Sequence, residues 1–273
     1  MIFDKALHSR RVVLPNGVKE ATIFIKDGKI IEITEGALDS KFQISDFKKA
    51  GLSDEIYPKC ESLGDAVIMS GLIDPHVHIN EPGRTDWEGF DTATRAAAAG
   101  GITSMIEMPL NASPVTTTAA AFAEKLTATE GKLHVNCGFY GGLIPSNYDD
   151  LTALMEAGVF GIKCFLTHSG IDEFPNVTEA DLAKAMPLIA EFGLPLLAHC
   201  ELDGPLSNQL FFERNPTSYR AYLLTRPKSW ENRAIELMIR LCEATKCRTH
   251  IVHLSSADLV GTLNYAKKRK NCR

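Results

Sequence analysis

The chain has 273 residues, with 29 basic and 34 acidic side chains and a formal net charge of −5. This mild acidic excess excludes a general polyanion binder, which needs clustered Lys and Arg. A hydrophobic fraction of 45% with 23% charged residues excludes intrinsic disorder, and no apolar run approaches the ~18 residues of a membrane span. The first residues hold no basic segment leading into an apolar core, so no secretory leader is expected. Seven cysteines without CxxC pairs are expected as free thiols in a reducing compartment, cytoplasmic or organellar (peroxisome or mitochondrion), rather than as a disulfide framework.

The N-terminal part, residues 1–65, reads as β. Short β-rich runs at 12–13, 21–25 and 30–33 are separated by the turn signals Pro15-Asn16-Gly17 and Asp27-Gly28-Lys29. A polar stretch over 36–62 reads as a loop-rich insertion, with a short helix near 45–50. From residue 66 to 273 strands and helices alternate. Apolar runs at 66–73, 102–108, 134–139, 159–166, 195–199 and 250–254 are each followed by a helical pattern. The helices are expected from Thr85-Asp86-Trp87-Glu88, which has capping-box spacing, and then over 118–129, 148–157, 179–192 and 230–245, with a last one opened by Ser255-Ser256-Ala257-Asp258.

Six β-then-α units with uniformly apolar strands indicate a parallel sheet covered on both faces. The fold class is therefore α/β. An incomplete TIM-like (β/α)8 barrel is favoured over a doubly wound sheet, because no GxGxxG follows any strand and the polar residues recur at strand C-terminal ends. The N-terminal strands form part of a small β-sandwich beside it.

Five side chains stand out. His76 and His78, spaced i and i+2 in extended backbone, point to one side and can reach one metal ion. Lys163 lies inside an apolar strand, where a cation is costly. It reads either as a strand-end lysine snorkelling to water, or as a neutral amine serving as nucleophile, base or carbamylated metal bridge. His199 and His253 close the fifth and sixth runs. Together the five would ring one end of a barrel. His250, three residues before His253, is expected on the opposite side of its strand and structural.

Gly71-Leu72-Ile73-Asp74-Pro75-His76-Val77-His78 resembles the first-strand motif of the cyclic amidohydrolases. The continuation from Ile79 through Phe90, Met108-Pro109-Leu110-Asn111, Gly161-Ile162-Lys163-Cys164-Phe165 and His199-Cys200-Glu201 are similar to the allantoinases among them. The resemblance implies two divalent metal ions, for which the donor set suits Zn. It implies His76 and His78 on one ion, His199 and His253 on the other, and carbamylated Lys163 bridging both. The implied reaction is hydrolysis of the cyclic amide bond of allantoin to allantoate. The alternative substrates are those of hydantoinases and dihydropyrimidinases. Dihydroorotases of this superfamily carry Arg two residues after the HxH, where it pairs with a substrate carboxylate. Asn80 at that position suits a neutral ring, and Arg84 and Asn111 are candidate substrate contacts. The family's catalytic aspartate lies on an eighth strand that this sequence does not reach, so no residue is assigned as catalytic. The chain is expected to be C-terminally truncated. It is then either a fragment with little activity or a non-catalytic chain or assembly partner. The full-length form is expected to be a homo-oligomer, a tetramer, with no nucleic-acid or membrane partner.

Overall fold

The computed structural model describes residues 3–36, 59–204 and 209–268. The chain separates into two compact units, Met1–Gly71 and Leu72–Arg273. In the first unit β1 (Lys5–Leu14), β2 (Gly17–Lys26) and β3 (Lys29–Glu35) form an antiparallel meander. β4 (Lys59–Ser62) and β5 (Val67–Ile68) run parallel to β1. The Asp27-Gly28 turn has φ of 49° and 72° at its two centre residues, the doubly left-handed geometry that suits a two-residue hairpin. The helix expected near 45–50 lies outside the described residues.

The second unit carries β6 (Leu72–Val77), β7 (Ile102–Glu107), β8 (Asn136–Phe139), β9 (Gly141–Gly142), β10 (Ile162–Phe165), β11 (Pro195–His199) and β12 (Arg248–Val252). All of their pairings are parallel and follow chain order, as β6-β7-β8 and β9-β10-β11-β12. Only Tyr140 separates β8 from β9. Phe139 O accepts the Phe160 N–H at 2.8 Å and Gly141 N–H donates to Gly161 O at 3.0 Å, so one bent strand passes from the first group to the second. Gly142 leaves room for Phe174, whose ring a Cβ there would meet at 2.4 Å. This is the partial barrel expected, an α/β wall of six βα units among the described residues.

Helices α1 (Phe90–Ala99), α2 (Ala119–Thr129), α3 (Leu151–Glu156), α4 (Glu179–Glu191), α5 (Gln209–Arg214), α6 (Tyr219–Leu224), α7 (Lys228–Thr245) and α8 (Val260–Lys268) fill the connections. Alternate strand residues divide the packing. Cys164, Leu196 and Ala198 join the core shared with the helices, while Phe165, Leu197 and Val252 cluster on the other, enclosed face. Thr118 and Thr178 accept N–H bonds at the starts of α2 and α4, the latter in a full capping box with Asp181. Such caps contribute about 1 kcal/mol each.

Two expectations are corrected. The apolar run 66–73 is not one strand. Val67–Ile68 pairs with β1 in the first unit, and the first barrel strand is Leu72–Val77. Nor does Thr85-Asp86-Trp87-Glu88 open a helix. α1 begins at Phe90 behind Gly89, which gives no side-chain cap. The capping oxygen comes from a distance instead, because Glu81 Oε2 accepts the Phe90 N–H at 2.8 Å.

Candidate functional site

Parallel strands in register present their ends on one rim, so residues at strand termini meet there. His76 lies on β6, with its N–H held by Asp74 Oδ1 at 3.1 Å. Its Nε2 stands 3.2 Å from His78 Nε2. The His253 ring centroid is 5.3 Å from that of His76 and 4.8 Å from that of His199. The structure thus brings the four imidazoles into one unbroken chain of ring contacts. Lys163 enters the same enclosed face from β10. Its Nζ lies 4.6 Å from the Phe165 ring centroid, and the same ring stacks on His199 at 4.9 Å and 15°. Phe165 was not singled out from the sequence, although its i+2 spacing from Lys163 marks it as a residue of the same face.

The electrostatics follow from burial. Lys163 is 1% exposed, which removes the snorkelling reading, and desolvation lowers its amine to about 8. Burial, then the neighbouring His76 and Lys163 charges, press His78 down to about 4. Burial and the Lys163 charge act likewise on His253, also to about 4, and lower His76 and His199. At neutral pH these imidazoles are uncharged, the form that binds a metal.

Two nitrogens test whether a cation fits. His78 Nδ1 and Lys163 Nζ are buried without a hydrogen-bond partner, a costly state that an electron-pair acceptor would relieve. Imidazole nitrogens with an amine able to form a carbamate make a donor set suited to zinc-like divalent ions. Among the described residues no three His, Cys, Asp or Glu side chains stand in ready ligand geometry. The Lys163 amine is of none of those types.

The loops around the rim are tied together by polar side chains, of which Glu201 and Arg226 carry no role assigned from the sequence. Glu201 Oε2 lies 3.4 Å from His199 Nε2, and both Glu201 oxygens accept from Arg226 Nη1 at 2.8 and 2.9 Å. A cavity of about 360 Å³ opens here, lined in part by His199, Glu201, Arg226 and His253. Arg84 donates to the carbonyls of Asn111 and Ala112 at 3.0 and 3.3 Å and to Glu173 at 2.7 Å, which commits its guanidinium to joining loops. Asn111 sits at φ 78°, and the Asn80 backbone is bonded to Glu88 and Arg84.

His250 is a correction. It pairs with Leu197, which pairs with Lys163, so all three face the enclosed side. With His76 it lines a second cavity of about 410 Å³. Parity failed because His253 lies beyond the regular strand, where its φ of 45° breaks the alternation.

The His78 shift predicts a pH dependence. A folded-state value near 4 against the ordinary 6.5 means that folding favours the neutral ring. That stabilisation is complete above pH 6.5 and is lost as pH falls toward 4. The metal-free chain is therefore expected to lose thermal stability over this window, and a His78→Gln variant to lose less. Parallel melting profiles for the two proteins would refute it.

Residues 67–273 match the Amidohydrolase family. The chain is 41% identical to "Allantoinase, mitochondrial" of Aquarana catesbeiana over 269 residues, covering 96% of this chain and 51% of that relative. It is 41% identical to "Allantoinase" of Streptomyces avermitilis over 264 residues, covering 97% and 56% respectively. The L-hydantoinase (dihydropyrimidinase) structure from Arthrobacter aurescens superposes with a TM-score of 0.80 at 27% identity, covering 99% of this chain and 57% of that one. The chain spans about half the length of the curated relatives it matches.

Proposed function

The chain belongs to the amidohydrolase family, and from that premise we propose that its chemistry is metal-dependent hydrolysis of the cyclic amide bond of allantoin to allantoate. The observation that carries this reading is the run of imidazoles His78, His76, His253 and His199 around the unpartnered Lys163 amine. The relatives of highest similarity reported above are allantoinases, which supports the substrate.

In this reading His76, His78, His199, His253 and Lys163, the last as its carbamate, would hold two divalent ions. The depressed Lys163 value leaves more neutral amine at pH 7 to add carbon dioxide, forming an N–C bond and releasing a proton. Bound ions supply Lewis acidity at the ring carbonyl and a water nucleophile that ionises near neutral pH. Glu201 orients His199 and is itself fixed by Arg226. The Asn80 amide suits a neutral ring, whereas Arg84 shapes the pocket through the Asn111 carbonyl. A hydantoinase or dihydropyrimidinase specificity is the second reading, supported by the likeness to the Arthrobacter aurescens structure. The protein is proposed to act as a homo-oligomer, a tetramer, in an intracellular compartment. No helix among the described residues is long and apolar enough to cross a membrane, and Cys60, Cys137, Cys164, Cys200 and Cys247 are free thiols.

The test is turnover of allantoin, hydantoin and dihydrouracil by zinc-loaded protein. It is run on the 273-residue chain and on the same chain extended by the C-terminal portion of an allantoinase. Allantoin is expected to react fastest in the extended form. The 273-residue chain is expected at least ~10²-fold slower, because β6 and β12 each pair on one side only among the described residues and leave the rim open to water. Failure of the extended form on allantoin with turnover of hydantoin would shift the reading to the second.

A further inference from the structure

β12 places His250 and Val252 on the enclosed face, so regular alternation would send His253 outward. The left-handed backbone at His253, φ 45°, turns its ring back toward His199 and His76. A non-glycine residue keeps that conformation only where its surroundings over-determine it. The surroundings come from the first turn of α7. Glu231 Oε1 accepts the Ser255 N–H at 2.7 Å, and Oε2 accepts the Ser256 N–H at 2.8 Å. Ser255 Oγ donates to His253 O at 3.1 Å, and the buried Ser256 Oγ accepts the Asp258 N–H at 3.3 Å. Lys228 and Asn232, on the same helix face as Glu231, reach the Asp258 carboxylate at 3.5 and 3.4 Å. Glu231 therefore spends both oxygens on two successive amides just beyond His253, in short charge-assisted bonds.

We propose that Glu231 is a positioning residue for His253, fixing the loop that turns this imidazole into the metal-binding rim. The proposal rests on the metal-site reading above. It goes beyond that reading by giving the second ion's affinity to a carboxylate on a helix, which touches neither metal nor substrate.

The experiment is calorimetric titration of zinc into the metal-free chain, with amide exchange at Ser255 and Ser256 measured alongside. Glu231→Gln keeps the side-chain shape and one acceptor oxygen, so the fold is retained. Its metal-free melting point is expected to stay within a few degrees of the parent. The parent is expected to take two ions. Glu231→Gln should bind the first unchanged and the second ~10–100-fold more weakly, with faster exchange at both serines. His253→Ala should lose the second ion, and adding Glu231→Gln to it should cost nothing more, as expected if one residue acts only through the other. Unchanged second-ion affinity in Glu231→Gln overturns the proposal. So does equal weakening of both ions, or further weakening on the His253→Ala background, since either marks a general structural role. A parent chain that takes up no zinc overturns the metal-site reading itself and this proposal with it.

Discussion

Replacing Lys163 by methionine is expected to abolish two-ion loading and lower allantoin turnover by about 10³-fold, while leaving the metal-free chain as stable as the parent or more so. The loss follows if the amine, as its carbamate, joins the ions. Several kcal/mol of charge stabilisation at the reacting carbonyl then disappears, and each 1.36 kcal/mol is a factor of ten in rate. The gain in stability has a separate cause. Lys163 is 1% exposed and its amine has no hydrogen-bond partner among the described residues; its Nζ lies over the Phe165 ring. Methionine fills a similar volume without the cost of a desolvated cation. Zinc content by emission spectroscopy, turnover and thermal melting are measured together. Added propionate should restore part of the zinc binding by supplying the missing carboxylate. A variant that melts well below the parent without metal, yet still loads two ions, would sink the assignment.

The second large effect lies behind the rim. Lys125 Nζ bonds Glu107 Oε2 at 2.6 Å, and both side chains are fully buried. Burial raises the Glu107 carboxyl to about 7 against the pull of Lys125, and Glu107 Oε1 has no hydrogen-bond partner. Glu107 stands opposite Val77, between His76 and His78 in sequence. Lys125→Met is therefore expected to cost about 3–5 kcal/mol, since it leaves a fully buried carboxyl group without its ion partner, to be neutralised by proton uptake. The Glu107→Gln/Lys125→Met double variant should recover most of that loss, because an apolar pair need not be desolvated. Urea unfolding of the three proteins measures both steps. A loss under about 1 kcal/mol in the single variant would mean that water or rearrangement satisfies Glu107, contrary to its burial.

The order of strands and helices was legible in the sequence because apolar runs of strand length alternate with helical periodicity, and a parallel sheet buries such runs on both faces. His76, His78, Lys163 and His199 were legible for a related reason. A polar side chain inside or at the end of an apolar strand is costly enough to be noticed. Tertiary structure decided what that periodicity does not encode. The run 66–73 reads as one strand, yet Val67–Ile68 finds its partner in β1 of the first unit, because pairing partners are chosen across long sequence distances. Thr85 has the residue type and spacing of a helix cap, yet Glu81 reaches Phe90 instead, since a chain turning back on itself can bring a better acceptor. Strand parity placed His250 and His253 on opposite sides, and it held for His250 relative to Leu197 and Lys163. It failed at His253 because one left-handed residue reverses the direction of a side chain. The Ser255 and Ser256 amides just beyond it are held by Glu231, 22 positions before His253 on a helix. A local rule of alternation cannot contain a constraint imposed by a neighbour that only folding brings into contact.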